Sequence, residues 1–297
     1  MEAYKKLLFE DPRTILFVVL GIVAVCFVVA WAWLARKGRA EGASTDRGHT
    51  LFDAIVAFVC TFFDTLGIGS FATTTAAFKF RESVPDEKIP GTLNVGYAIP
   101  TFAQAFIFIA IVKVDFKTLA LMIAAAVAGS WFGAGIVAQW PRRRIQLGMG
   151  GALLVAAGLM LMKQFEIGPP EGESLTLAGT RLGLGIAANL LLGALMTLGI
   201  GLYGPCLIVV SLLGMDPRAA FPIMMGSCAF LMPVGGLRFV REGSYSVRAA
   251  LAMSVSGLPA VLIAAFLVEK MPLQYVRWLV VMAVTYAATM LLRSARK

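Results

Sequence analysis

Three apolar runs set the terms for this chain: 14-TILFVVLGIVAVCFVVAWAWLA-35, 117-KTLALMIAAAVAGSWFGAGIVAQW-140 and 274-QYVRWLVVMAVTYAATMLL-292. Each approaches or exceeds the roughly 20 residues that span a bilayer core. Charged residues make up only 14% of the chain, where soluble domains run nearer about a quarter. The mean hydropathy is +0.82. The expected fold class is therefore an all-α polytopic membrane protein, because no stretch is long and polar enough to form a soluble domain. The first run exceeds the about 7–15 apolar residues of a signal peptide core and is followed directly by 36-RKGR-39, so it reads as a retained helix.

The net charge of +9 does not point to nucleic acid. Basic residues cluster at helix ends, and no basic patch interleaved with aromatics is present. Cys26, Cys60, Cys206 and Cys228 show no CxxC spacing, which argues against a disulfide framework or a zinc site. The single histidine, His49, falls in a loop. No nucleophile–base pair or metal cluster is visible, so the sequence speaks against an enzyme and implies no cofactor.

The chain also repeats itself. At a shift of 132, Thr65-Leu66-Gly67-Ile68-Gly69 falls on Thr197-Leu198-Gly199-Ile200-Gly201, Pro85 on Pro217 and Pro90 on Pro222. After a slip to 131, Val137 falls on Val268 and Pro141 on Pro272. A pentapeptide plus three prolines in register is hard to reach by chance. The reading is two homologous halves, 51–163 and 183–297, joined by a loop at 164–182. They lie behind an N-terminal helix and cytoplasmic loop at 1–50.

Each half opens on a glycine-broken segment, about 51–80 and about 183–213, and continues with three apolar runs, each expected as one helix: 90–112, 117–140 and 144–162, then 219–240, 246–269 and 274–292. A segment of 30 residues would be about 45 Å long as one helix, against a core of about 30 Å. It must overhang widely or fold back at the glycines. If both segments cross, the lysines and arginines divide 12 to 14. If both fold back as re-entrant hairpins, they divide 10 to 16, and only this arrangement obeys the positive-inside rule. It places the N-terminus outside and the C-terminus in the cytoplasm. A hairpin plus three crossings is an odd number of crossings, so the second half is inverted, as in many secondary transporters.

Irregular backbone is tolerated in a bilayer only where protein or a water-filled cavity satisfies it. A half-helix starting after Gly69 carries the positive end of its dipole, with unpaired N–H groups, around Ser70 to Thr73. The copy, Gly201-Leu202-Tyr203-Gly204-Pro205, has a proline where a first helical turn accepts one. Two such starts aimed at one point make an anion site from backbone. The expected binding residues are Gly67, Ile68, Gly69, Ser70, Thr73, Asn94, Gly199, Gly201, Tyr203 and Gly204. The competing reading is glycine-mediated helix packing.

Asp64 sits beside the first glycine turn and is the candidate for proton coupling, against a capping or packing role. Asp53 reads as a solvated acid near the interface. Asn94 could touch solute or bond a neighbouring helix, and Gln104 reads as an interhelical hydrogen bond. Cys206 reads as apolar filler, with a sulfur-handling role as the alternative. The run 142-RRR-144 reads as a topology anchor.

The motifs 67-GIGS-70, Pro85, 91-GT-92, 114-VDFK-117 and Pro141 in the first half, with 199-GIGLYG-204, 214-GMDP-217 and Pro272 in the second, resemble the TauE/SafE family of membrane permeases. The likeness covers nearly everything after residue 50. It departs where Ser70-Phe71 and Leu202-Tyr203 stand in place of glycines, and where Pro222-Ile223 stands at the second GT position. The resemblance implies export or uptake of sulfite, sulfonates and related organosulfur anions through the cell inner membrane. The partners it implies are a small anionic substrate and the lipid bilayer, and homo-oligomerisation stays open. An anion channel of the same architecture is the alternative to a carrier.

Overall fold

The computed structural model describes residues 12–40, 50–137, 173–196, 201–270 and 272–295, with scattered residues between 143 and 162. Eleven α-helices are defined among them. In the first half they are α1 (Pro12–Ala40), α2 (Thr50–Thr65), α3 (Phe71–Arg81), α4 (Ile89–Gly96), α5 (Ala98–Ile111) and α6 (Phe116–Val137). In the second they are α7 (Gly179–Met196), α8 (Tyr203–Leu212), α9 (Ala220–Arg241), α10 (Val247–Lys270) and α11 (Leu273–Ser294). The described residues form no strand beyond one isolated bridge between Ser174 and Met215. Among the described residues, five helical segments are long and apolar enough to cross a membrane: Pro12–Arg36, Ile89–Ile111, Gly179–Met196, Pro217–Arg241 and Val247–Leu267.

Loop contacts gather at two ends of the bundle. At one end Arg13 Nη2 donates to the Val114 carbonyl at 2.8 Å. There Asp115 N–H donates to Leu175 O at 2.8 Å, and Asp216 N–H to Ser174 O at 3.0 Å. At the other end Trp31 Nε1 donates to the Tyr245 hydroxyl at 3.0 Å. Ser246 N–H donates to Thr92 Oγ1 at 2.9 Å, and Arg81 lies over the Phe52 ring. Arg13 and Trp31 lie on one helix, 18 residues apart, which sets the two ends about 27 Å from each other.

The apolar run at 90–112, expected as one helix, is two. Pro100 has no N–H to offer the Gly96 carbonyl, so the ladder fails at the Tyr97 junction between α4 and α5. Ser254 of α10 supplies the missing donor, its Oγ lying 3.0 Å from Gly96 O. Asp53 is a second correction. It is fully buried rather than solvated, and its Oδ2 lies 3.5 Å from Arg248 Nη2 across the two halves.

The closest helix crossing joins the halves. A Cβ on Gly129 of α6 would sit 1.8 Å from Leu190 O of α7, and one on Gly193 of α7 would sit 2.0 Å from Ala126 O of α6. Apolar side chains gain little from association in lipid, so close backbone approach at small residues drives such contacts.

Candidate functional site

The first broken segment owes its shape to Gly67. Ile68 N–H reaches back to Phe63 O at 3.1 Å, and Gly67 N–H to Asp64 O at 2.8 Å. This pair of bonds is a Schellman closure, which needs a left-handed residue just past the helix end. Gly67 supplies it with φ +94°. A side chain there would also press on Leu207 of α8, whose Cδ1 is 3.1 Å from the Cβ position. Gly69 is left-handed as well, with φ +85°, and sets up Ser70 as the residue that precedes α3.

Space opens beside these turns. Nothing lies within 4 Å of a Cβ built on Gly69 or on Gly201. Ile68, Gly69 and Thr73 are half-buried and Gly201 is exposed, whereas Ser70, Tyr203 and Gly204 are buried. Thr73 Oγ1 donates to Ser70 O at 2.8 Å. The first helical bond of α3 runs from Thr74 N–H to Ser70 O, so the N–H groups of residues 71–73 precede the ladder. Pro205 stands in the first turn of α8. Gly199 lies outside the described residues, as do Thr197, Leu198 and Ile200.

Between the first turn and the start of α8 runs a buried polar chain. Gln104 of α5 donates from Nε2 to Asp64 Oδ2 at 3.0 Å and to Thr65 Oγ1 at 2.8 Å. Its Oε1 accepts from the Tyr203 hydroxyl at 2.9 Å. Ser70 faces the same Asp64 carboxyl through its hydroxyl and its backbone N–H. Tyr97 extends the cluster by a hydrogen bond to Thr74. Asp64, Gln104 and Tyr203 are each almost inaccessible to solvent.

Asn94 is not part of this chain. Its Nδ2 donates back to Pro90 O at 2.9 Å within its own helix. Ser227 lies elsewhere too, accepting from Asn189 at 3.1 Å. Cys206 is fully buried, and Cys228 Sγ lies 3.5 Å from Met196 Sδ. No cluster of three or more histidine, cysteine or acidic side chains occurs among the described residues. Sequence reasoning treated Gln104 only as an interhelical bond. The signal was its place as the one amide in 102-FAQAFIFIAIV-112, where an unpaired amide would be costly.

Long apolar helices surrounding a buried polar chain define the class: this is a multi-pass membrane transport protein. The chain belongs to the sulfite exporter TauE/SafE family, whose model matches residues 6–161, just over half its length. No curated protein and no solved structure matches it.

Proposed function

We propose that this chain is a secondary transporter for a small sulfur-containing anion such as sulfite or an organosulfonate. It would bind that anion near the membrane midplane, between the starts of α3 and α8. The observation that carries this reading is the chain from Asp64 through Gln104 to Tyr203, which ties the first glycine turn to the start of α8 beside the open space at Gly69 and Gly201. Half-helix starts offer backbone N–H groups and a positive dipole end to an anion. Asp64 is the proton-coupling group in this reading.

The inverted, hairpin-bearing architecture has support of its own. Asp53 at the start of α2 and Arg81 at the end of α3 make contacts at the same end of the bundle. Leu177, just before α7, and Met215, just after α8, make theirs at the opposite end. Each broken segment then enters and leaves by one face, and the two faces differ. Lys79, Arg81, Lys88, Arg238, Arg241 and Arg248 belong to the α2 end, which would face the cytoplasm of an inner membrane, with the N-terminus outside.

Reconstituted liposomes test the function. Labelled sulfite or methanesulfonate should accumulate transiently by counterflow against unlabelled solute. Non-saturating linear conductance would instead establish a channel, and absence of any flux with these anions would refute the reading.

A further inference from the structure

Gln104 links the hydroxyl of Tyr203 to the carboxyl of Asp64, and its orientation is forced. Thr65 Oγ1 donates to Thr61 O at 2.8 Å, so toward Gln104 it can only accept. That fixes the amide nitrogen on the side of Thr65 and Asp64, and leaves Oε1 to accept from Tyr203. This pattern suits an ionised Asp64, which accepts and never donates.

A proton arriving on Asp64 Oδ2 would face the amide hydrogens. Turning the amide over removes the conflict. Asp64 then donates to Oε1, Thr65 turns its hydrogen from Thr61 O to Oε1, and Nε2 donates to the Tyr203 oxygen. The Asp64 and Thr65 hydrogens again have an acceptor, while the second amide hydrogen and the Tyr203 hydrogen are released from these bonds. One proton has entered from water, and one hydroxyl hydrogen has become available at the first residue of α8.

We propose that Gln104 is a positioning residue, a two-state amide that converts protonation of Asp64 in the first half into a free hydroxyl donor on Tyr203 in the second. This rests on the anion-transport reading above. Anion and proton then bind with positive linkage, each raising the affinity of the other by the same factor. An acid held close to a bound anion without its proton would repel it in a site of low polarity.

The surroundings leave this switch undisturbed. Among the described residues, the titratable groups facing Asp64 are Tyr97 at the junction of α4 and α5, Tyr203 of α8 and Cys228 of α9. Ser70 faces it from the start of α3, and no cation of the described residues acts on it. On α10, packed along α2, Gly257 lies against Thr61 and Arg248 meets Asp53, about three turns from Asp64. Thr101 faces the Tyr203 hydroxyl and donates onward to Met232 Sδ at 3.7 Å.

The test is binding of methanesulfonate, which stays singly charged, to the purified full chain between about pH 5 and about pH 8. One linked proton tightens binding roughly tenfold per unit fall in pH. Gln104→Leu should flatten that slope in the protein that folds, at a lowered melting temperature because its buried partners lose their bonds, and Asp64→Asn should bind tightly at every pH, its amide donating permanently to Oε1. Tyr203→Phe should weaken binding about tenfold at the acid end, the scale of one hydrogen bond to a charged group. A wild-type slope in folded Gln104→Leu overturns the switch and leaves the transport reading standing. If no sulfonate or sulfite binds the wild type, the transport reading fails instead. The switch is then read from the infrared carboxyl band that Asp64→Asn removes: a shift of that band in Tyr203→Phe supports it, and an unmoved band overturns it.

Discussion

At the scale of single residues, the two left-handed glycines of the first turn, Gly67 and Gly69, do different work. Gly67 closes α2 and packs on Leu207, so it is held by structure. Gly69 has nothing beside its Cβ position, yet it needs φ +85° to start α3. Gly69→Leu should therefore fold with a local penalty of about 1–2 kcal/mol from the left-handed backbone. It should also lose anion affinity, because the leucine enters the open space. Titration of the folded variant decides the point: wild-type affinity would place the anion elsewhere. Asp64→Asn should retain binding but remove any dependence of uptake on a proton gradient. Uptake that still follows the gradient would leave Asp64 a structural residue. The pentapeptide motif and Asp64 were legible from the sequence. The role of Gln104 was not, since its partners lie 39, 40 and 99 positions away along the chain.

At the scale of elements, the junction between α4 and α5 and the crossing of α6 with α7 govern stability. Ser254→Ala would leave the Gly96 carbonyl without its donor, beside a proline that cannot replace it. A buried acceptor left unmade costs about 1–3 kcal/mol, so a measurable fall in melting temperature is expected with solute binding retained. Gly193→Leu is harsher, because its side chain would run into the backbone of α6 at Ala126. That variant should fail to assemble or should melt far lower, and a near-wild-type melting curve would refute the close crossing. The apolar run at 90–112 announced its length but not its break. Proline marks a place where a helix can fail, and only the neighbour on α10 decided how the freed carbonyl was satisfied.

At the scale of the whole molecule, sidedness is the open quantity that the charge distribution and the loop contacts address together. Cysteines introduced singly at 79–90 should be labelled only from the cytoplasm, and those at 113–117 only from outside. Labelling of 36–49 and 79–90 from opposite faces would remove the hairpins. By itself the sequence determined the solvent and the helical class, and its matching motifs propose a twofold repeat. Those follow from run length, composition and register, which are local or periodic properties of the chain. The family followed from motifs of the same kind. Tertiary structure alone decided which polar groups meet. It buried Asp53 against Arg248 and turned Asn94 back onto its own helix. It also drew Asp64 and Tyr203 onto one amide. The physical reason is that a hydrogen bond reaches about 3 Å in space whatever the separation along the chain, so its partners are fixed only once the helices have packed.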